Sequence, residues 1–126
     1  MKKVYPLLIT DKLKECASFY VEHFNFTTVF EQDWYVHLVH EKSGAELAFM
    51  APNAENQPKE LHPGFAGEGM VYGFEVEDAK QEYERLSSKE NVKMIVELKD
   101  EEWGQRHFIV RDPAGVYVDV VQQLEA

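Results

Sequence analysis

The 126-residue chain holds a single cysteine, Cys16, so no intramolecular disulfide framework can staple it, and the paired-cysteine spacing of a zinc site is missing too. No apolar run approaches the length of a membrane span. The N-terminal stretch from Val4 to Ile9 is broken by Pro6 and stopped by Thr10-Asp11, too early for the core of a signal peptide. Positive charge is scarce: 13 Lys plus Arg stand against 23 Asp plus Glu, a formal net charge of -10. Phosphate repels such a chain, which argues against nucleic acid and anionic membranes as partners; a cationic ligand is compatible with it. A Gly-rich phosphate loop and a serine elbow are also lacking. The address these absences predict is a reducing cytoplasm.

What remains is ordinary globular sequence, 44% hydrophobic and 29% charged, long enough to bury a core without a staple. It reads as one domain over residues 1–126, built from two similar halves. Val4-Tyr5-Pro6-Leu7-Leu8-Ile9-Thr10-Asp11 is matched by Val71-Tyr72-Gly73-Phe74-Glu75-Val76-Glu77-Asp78. Each run is strand-like, ends in Asp and leads into a helical pattern. After Asp11 the apolar face is Leu13, Cys16, Ala17, Tyr20 and Phe24; after Asp78 it is Ala79, Tyr83 and Leu86. Asp11 and Asp78 are the expected N-caps, with Gln81 placed as a capping partner. Cys16, on the first apolar face, is expected to be a buried, inert thiol.

Strands are predicted at 26–31, 34–40 and 45–50 in the first half and at 92–98, 107–111 and 116–122 in the second. Breakers separate them, among them Lys42-Ser43-Gly44 and Asp112-Pro113-Ala114-Gly115. The pattern is βαβββ twice: module one at 1–51, a Pro- and Gly-rich linker at 52–69, module two at 70–126. Short connections call for antiparallel pairing among the last three strands of each half. Alternation puts Val116, Val118 and Val120 on one face of the last strand and Tyr117, Asp119 and Val121 on the other. In the strand before the second helix, Tyr72, Phe74 and Val76 oppose Val71, Gly73 and Glu75. The apolar sets are expected under the helices. The mixed face, with Glu75, Asp119 and Tyr117, is then either a small-molecule pocket or a subunit interface, and the residues leave both open.

The duplicated unit, together with Trp103-Gly104-Gln105-Arg106 and the C-terminal stretch from Asp112 through Val116-Tyr117-Val118-Asp119-Val120-Val121-Gln122, resembles the vicinal oxygen chelate superfamily of glyoxalases, extradiol dioxygenases and bleomycin- and fosfomycin-resistance proteins. The resemblance implies an α+β fold in which two βαβββ modules form curved mixed sheets around a cleft, usually as a homodimer. The superfamily's metal enzymes carry four ligands, two in first strands and two in last strands. Carried onto this chain, the first-strand positions fall at Val4 and Val71, which have no lone pair to offer. The last-strand positions fall at Asp119 and near Glu46, with Ala48 the other candidate. Among the histidines, His37 and His40 face opposite sides of a strand, His23 is expected at the surface near a helix end, His62 lies in the linker, and His107 is the best remaining candidate ligand.

The resemblance is closest to the bleomycin-resistance branch, which lacks the metal site. It implies a metal-independent protein without a cofactor, more a binder than an enzyme. Its ligand would be a small, planar, cationic compound held by Trp103, Tyr117, Asp119, Glu75 and Glu46, through stacking and charge. Glu101 and Glu102 could join Trp103 and Asp119 in that role, but read more readily as a solvated turn. The alternative is a lyase, isomerase or dioxygenase relative with altered metal ligands.

Overall fold

A computed structural model describes residues 1–125, which fall into two compact units, Met1–Ala66 and a second that begins at Gly67. The first runs β1 (Leu7–Ile9), α1 (Leu13–Phe24), β2 (Phe26–Gln32), β3 (Tyr35–His40) and β4 (Glu46–Met50). The second runs β5 (Val71–Glu75), α2 (Ala79–Ser87), β6 (Lys93–Glu101), β7 (Gln105–Arg111) and β8 (Tyr117–Gln123). Each unit is a four-stranded mixed sheet, ordered β1-β4-β3-β2 in one and β5-β8-β7-β6 in the other. The first strand of each unit lies parallel to the last, because the chain returns through a helix; the hairpin-linked strands pair antiparallel. This is the twice-repeated βαβββ, α+β architecture expected from the sequence.

One sheet face of each unit packs against its helix. In the first unit Val36, Leu38, Leu47 and Phe49 are buried, and Tyr20 of α1 stacks on Phe49 at 5.8 Å. In the second, Phe108, Val110, Val118 and Val120 are fully buried, with Tyr83 of α2 edge-on to Phe108 at 5.4 Å. Burying an aromatic ring of this size stabilises its unit by about 3 kcal/mol, so these stripes hold the helices in place. Cys16 is buried within the first core.

Two helix details differ from the sequence reading. Asp11 is not the cap of α1: the N-cap is Lys12, without a side-chain bond, and its N–H donates to Thr10 Oγ1 at 3.1 Å. Asp78 does cap α2, accepting from the Gln81 N–H at 3.1 Å. His23 is not a surface residue; it is 1% exposed, its ring 5.2 Å from Phe19. Three residues beyond Tyr20 and seven beyond Cys16, it continues the apolar helix face, a spacing that outweighs the helix-end position.

The segment after β4 is less featureless than its composition suggests. It forms a short 3-10 turn at Lys59–Leu61, and Phe65 N–H donates to Ile9 O at 2.7 Å. The Asp-Pro-Ala-Gly turn between β7 and β8 is built around Asp112, whose buried carboxylate Oδ1 accepts from the N–H groups of Ala114 and Val116, both at 2.9 Å. Gly115 closes the turn at φ 98°, a left-handed conformation that favours glycine, and a Cβ there would meet Arg111 Nη2 at 3.1 Å. No helix among the described residues is long and apolar enough to cross a membrane.

Candidate functional site

The chemistry-bearing residues lie on the sheet face away from the helix, and strand register decides which of them meet. In the second unit His107 on β7 stands opposite Val121 on β8, and Asp119 is two residues before Val121 on the same face. His107 Nδ1 is 2.7 Å from Asp119 Oδ1, and its Nε2 is 2.8 Å from Glu101 Oε2 at the end of β6. A neutral imidazole has one N–H, so bonding two carboxylates calls for the imidazolium. Burial by itself disfavours that charge, but the hydrogen bonds and charges of Glu101 and Asp119 outweigh it and raise the His107 pKa above its ordinary value. The His107 bond in turn is the main influence holding Glu101 below the usual range, against burial; Lys99, 3.2 Å away, helps.

A second polar row crosses the same face. Trp103 Nε1–H donates to Gln105 Oε1 at 2.8 Å, Gln105 Nε2 to Gln123 Oε1 at 3.4 Å, and Gln123 Nε2 to Glu75 Oε1 at 3.0 Å. Trp103 itself is 69% exposed, so it is no plug in a core. At the other end of the face Tyr117 lies under the Arg111 guanidinium, 5.3 Å from ring centroid to Cζ. Trp103, Tyr117, Asp119 and Glu75 thus share one unit, and Glu46 belongs to the other.

The first unit repeats the motif. His37 on β3 stands opposite Ala48 on β4, and Glu46 is two residues before Ala48. Its Nε2 is 2.6 Å from Glu46 Oε1 and its Nδ1 2.9 Å from the Tyr35 hydroxyl. The register therefore makes Glu46, not Ala48, the counterpart of Asp119, and His37 the counterpart of His107. Lys3 Nζ also reaches Glu46 Oε1 at 2.9 Å. Its hydrogen bond, then that of His37, lowers the Glu46 pKa against the opposing effect of burial.

The register also fixes how the two first strands correspond. Leu7 pairs with Ala48 and Glu75 with Val121, each beside the residue opposite a histidine, so Leu7 and Glu75 are equivalent. Aligning Asp11 with Asp78 instead matches Leu8 to Glu75, a slip of one residue that swaps faces. Val71 stands opposite Tyr117 and Gly73 opposite Asp119 on the same face of β5, while Val4 precedes β1.

Val4 and Val71, the implied first-strand positions, offer no lone pair, and both last-strand carboxylates are engaged by the chain's own histidines. Among the described residues no group of three or more His, Cys, Asp or Glu side chains is disposed to hold a metal ion. The donor set does not fit a four-ligand centre of the kind the resemblance implies. Sequence reasoning favoured a solvated turn over a ligand role for Glu101, set His37 aside, and passed over Tyr5 and Tyr35. The alternation of Tyr35 and His37 signalled a shared face, but only the register joins them to Glu46.

A duplicated βαβββ unit with a polar sheet face opposite each helix defines the class. Residues 4–120 match the model of the Glyoxalase/Bleomycin resistance protein/Dioxygenase superfamily, and the chain belongs to that family. Among solved structures it is similar to a glyoxalase/bleomycin resistance protein/dioxygenase from Nocardioides, with 19% identity and TM-score 0.78 over 98% of this chain and 83% of that one. It is also similar to the bleomycin resistance determinant encoded on the transposon Tn5 (19%, 0.68, 98% of both chains). A third is a lactoylglutathione lyase from Agrobacterium tumefaciens (21%, 0.74, 97% of this chain and 94% of that one). No match was found among curated proteins. At these identities the likeness shows the fold.

Proposed function

We propose that this protein binds a small, planar, cationic molecule without a metal ion, against the second unit's open sheet face, with Trp103 as the stacking surface. The observation that carries this reading is the Trp103 indole, 69% exposed, on the acidic second unit. The pairing of Asp119 and Glu101 with His107 carries its metal-free part, since a metal ion entering there must first displace an imidazole bonded to both carboxylates. The indole N–H of Trp103 is already bonded to Gln105, which steadies the ring and leaves its face as the contact offered to a ligand. Lys99 and His107 offset the charges of Glu101 and Asp119, so stacking supplies more of the affinity than charge, with Glu75 contributing the electrostatic preference. The fuller form of the reading is a cytoplasmic homodimer that sequesters a toxic compound; the similar Tn5 protein is named a bleomycin resistance determinant.

Elemental analysis of protein purified without chelator, followed by titration with proflavine as a planar cation, tests it. The expected outcome is substoichiometric metal and saturable quenching that is lost in Trp103→Ala. A stoichiometric transition metal required for binding would instead support the lyase, isomerase or dioxygenase reading. Light scattering decides the oligomeric state.

A further inference from the structure

The hairpin between β3 and β4 carries a nucleophile and a base in contact, away from the open sheet face. His40 ends β3 two residues beyond the buried Leu38, so its ring lies on the helix side of the sheet. There it packs at 5.4 Å on Phe26, its partner in register on β2, and Phe26 meets Tyr20 of α1 at 5.9 Å. His40 Nδ1 lies 2.7 Å from Ser43 Oγ and also accepts the Ser43 backbone N–H at 3.1 Å.

The second of these bonds sets the direction of the first. A backbone N–H only donates, so Nδ1 is the unprotonated nitrogen and the ring proton sits on Nε2. The Ser43 hydroxyl then donates its proton to Nδ1. Ser43 Oγ accepts the Ala45 N–H at 3.2 Å with one lone pair, which leaves the other for attack. Ser87 and Ser88 supply the contrast. Their hydroxyls donate to the backbone carbonyls of Glu84 and Arg85, groups too weakly basic to take up the proton.

The loop holds the pair in place. His40 N–H donates to Ala45 O at 2.8 Å and Gly44 N–H to His40 O at 2.7 Å. Ser43 is exposed, and a Cβ on Gly44 would meet nothing within 4 Å, so a reactant has room beside the hydroxyl. The net charge of -10 repels anionic acyl donors such as acyl phosphates and leaves uncharged esters as the matching reactants.

We propose that Ser43 is an acylation site with His40 as its general base, and that uncharged aryl esters are its acyl donors. Ser43 Oγ bonds to the acyl carbon as its proton passes to His40 Nδ1. The bond from that carbon to the aryl oxygen breaks, and the departing phenol takes the proton from His40. The products are an O-acyl serine and a phenol, with no change of oxidation state. No residue of the second unit takes part, so the fate of this proposal is separate from that of the ligand site.

The test incubates the full chain with 4-nitrophenyl acetate. One acetyl group should appear at Ser43, read by peptide mass and removed by alkaline hydroxylamine. It should form about a hundredfold faster than at Ser87 or Ser88, the low end of general-base assistance. His40→Gln should slow it to the rate at those serines, and Ser43→Ala should remove the hydroxylamine-sensitive acetyl from that peptide. Ser43→Cys in the His40→Gln background should still react with iodoacetamide while the buried Cys16 stays protected, showing that the loop keeps its exposure without the base. Equal acetylation of Ser43, Ser87 and Ser88 overturns the proposal, as does a His40→Gln variant that reacts as fast as wild type. Acetylation that survives Ser43→Ala and is lost in His40→Gln overturns it too, the imidazole itself then being the nucleophile. A Ser43→Cys thiol that fails to react in the His40→Gln background means that His40 shapes the loop instead of taking the proton, which also overturns it.

Discussion

Replacing His107 by Gln removes the cation from between two carboxylates while keeping similar bulk. A glutamine amide can donate to one of Asp119 and Glu101, so one charge-assisted bond is lost outright and the other becomes neutral-to-charged. Hydrogen bonds to charged groups are each worth about 1.5–3 kcal/mol. Both carboxylates keep some solvent contact, with side-chain exposures of 25% and 16%, which argues for the low end. The expected loss is about 2 kcal/mol near pH 6, a drop of about 8 °C in thermal midpoint for a chain of this length.

The pH dependence carries the sharper test. The folded-state pKa of His107 lies above its ordinary value of 6.5, so its contribution is complete below 6.5 and disappears as pH rises through the raised value. Glu101 is shifted the other way: its contribution is present above the ordinary 4.5 and lost as pH falls through the lowered value. The gap between wild type and His107→Gln should therefore be widest at about pH 5–6.5 and close toward pH 9. Urea unfolding followed through Trp103 in a Trp34→Phe background measures it for the second unit, and the His107 ring proton in NMR gives the titration directly. A gap that stays constant from pH 6 to pH 9, or a ring that titrates at its ordinary value, would refute the imidazolium bridge.

Asp112→Ala should cost about 2–3 kcal/mol, since two backbone N–H groups lose their acceptor in a buried turn; chemical denaturation reads this, and Asp112→Asn should recover part of it. Gly115→Ala should destabilise by about 1–2 kcal/mol because of its positive φ and the nearby Arg111; a normal midpoint would mean the turn relaxes into another type. Phe108→Ala should cost about 3–5 kcal/mol by opening a cavity under α2. Near-UV circular dichroism and the urea midpoint would reveal a smaller loss as collapse of the site.

The two βαβββ repeats, their order and the buried stripes were readable along the chain because each follows a local rule. A period of two sorts Val116, Val118 and Val120 from Tyr117, Asp119 and Val121. A period of 3.6 gathers Cys16, Tyr20 and Phe24, and His23 follows the same face despite its place at the helix end. Composition also placed the Asp-Pro-Ala-Gly turn, because few residues tolerate its backbone. What folding alone settled was who meets whom across strands. Glu101 joins His107 only because bulges in β6 shift its register near Lys99, and Glu46 joins His37 only through the β3–β4 pairing. A strand's side chains alternate whatever its neighbour does. Which neighbour they face depends on a one-residue choice of hydrogen-bonding partner, and that choice is made by the packed sheet as a whole.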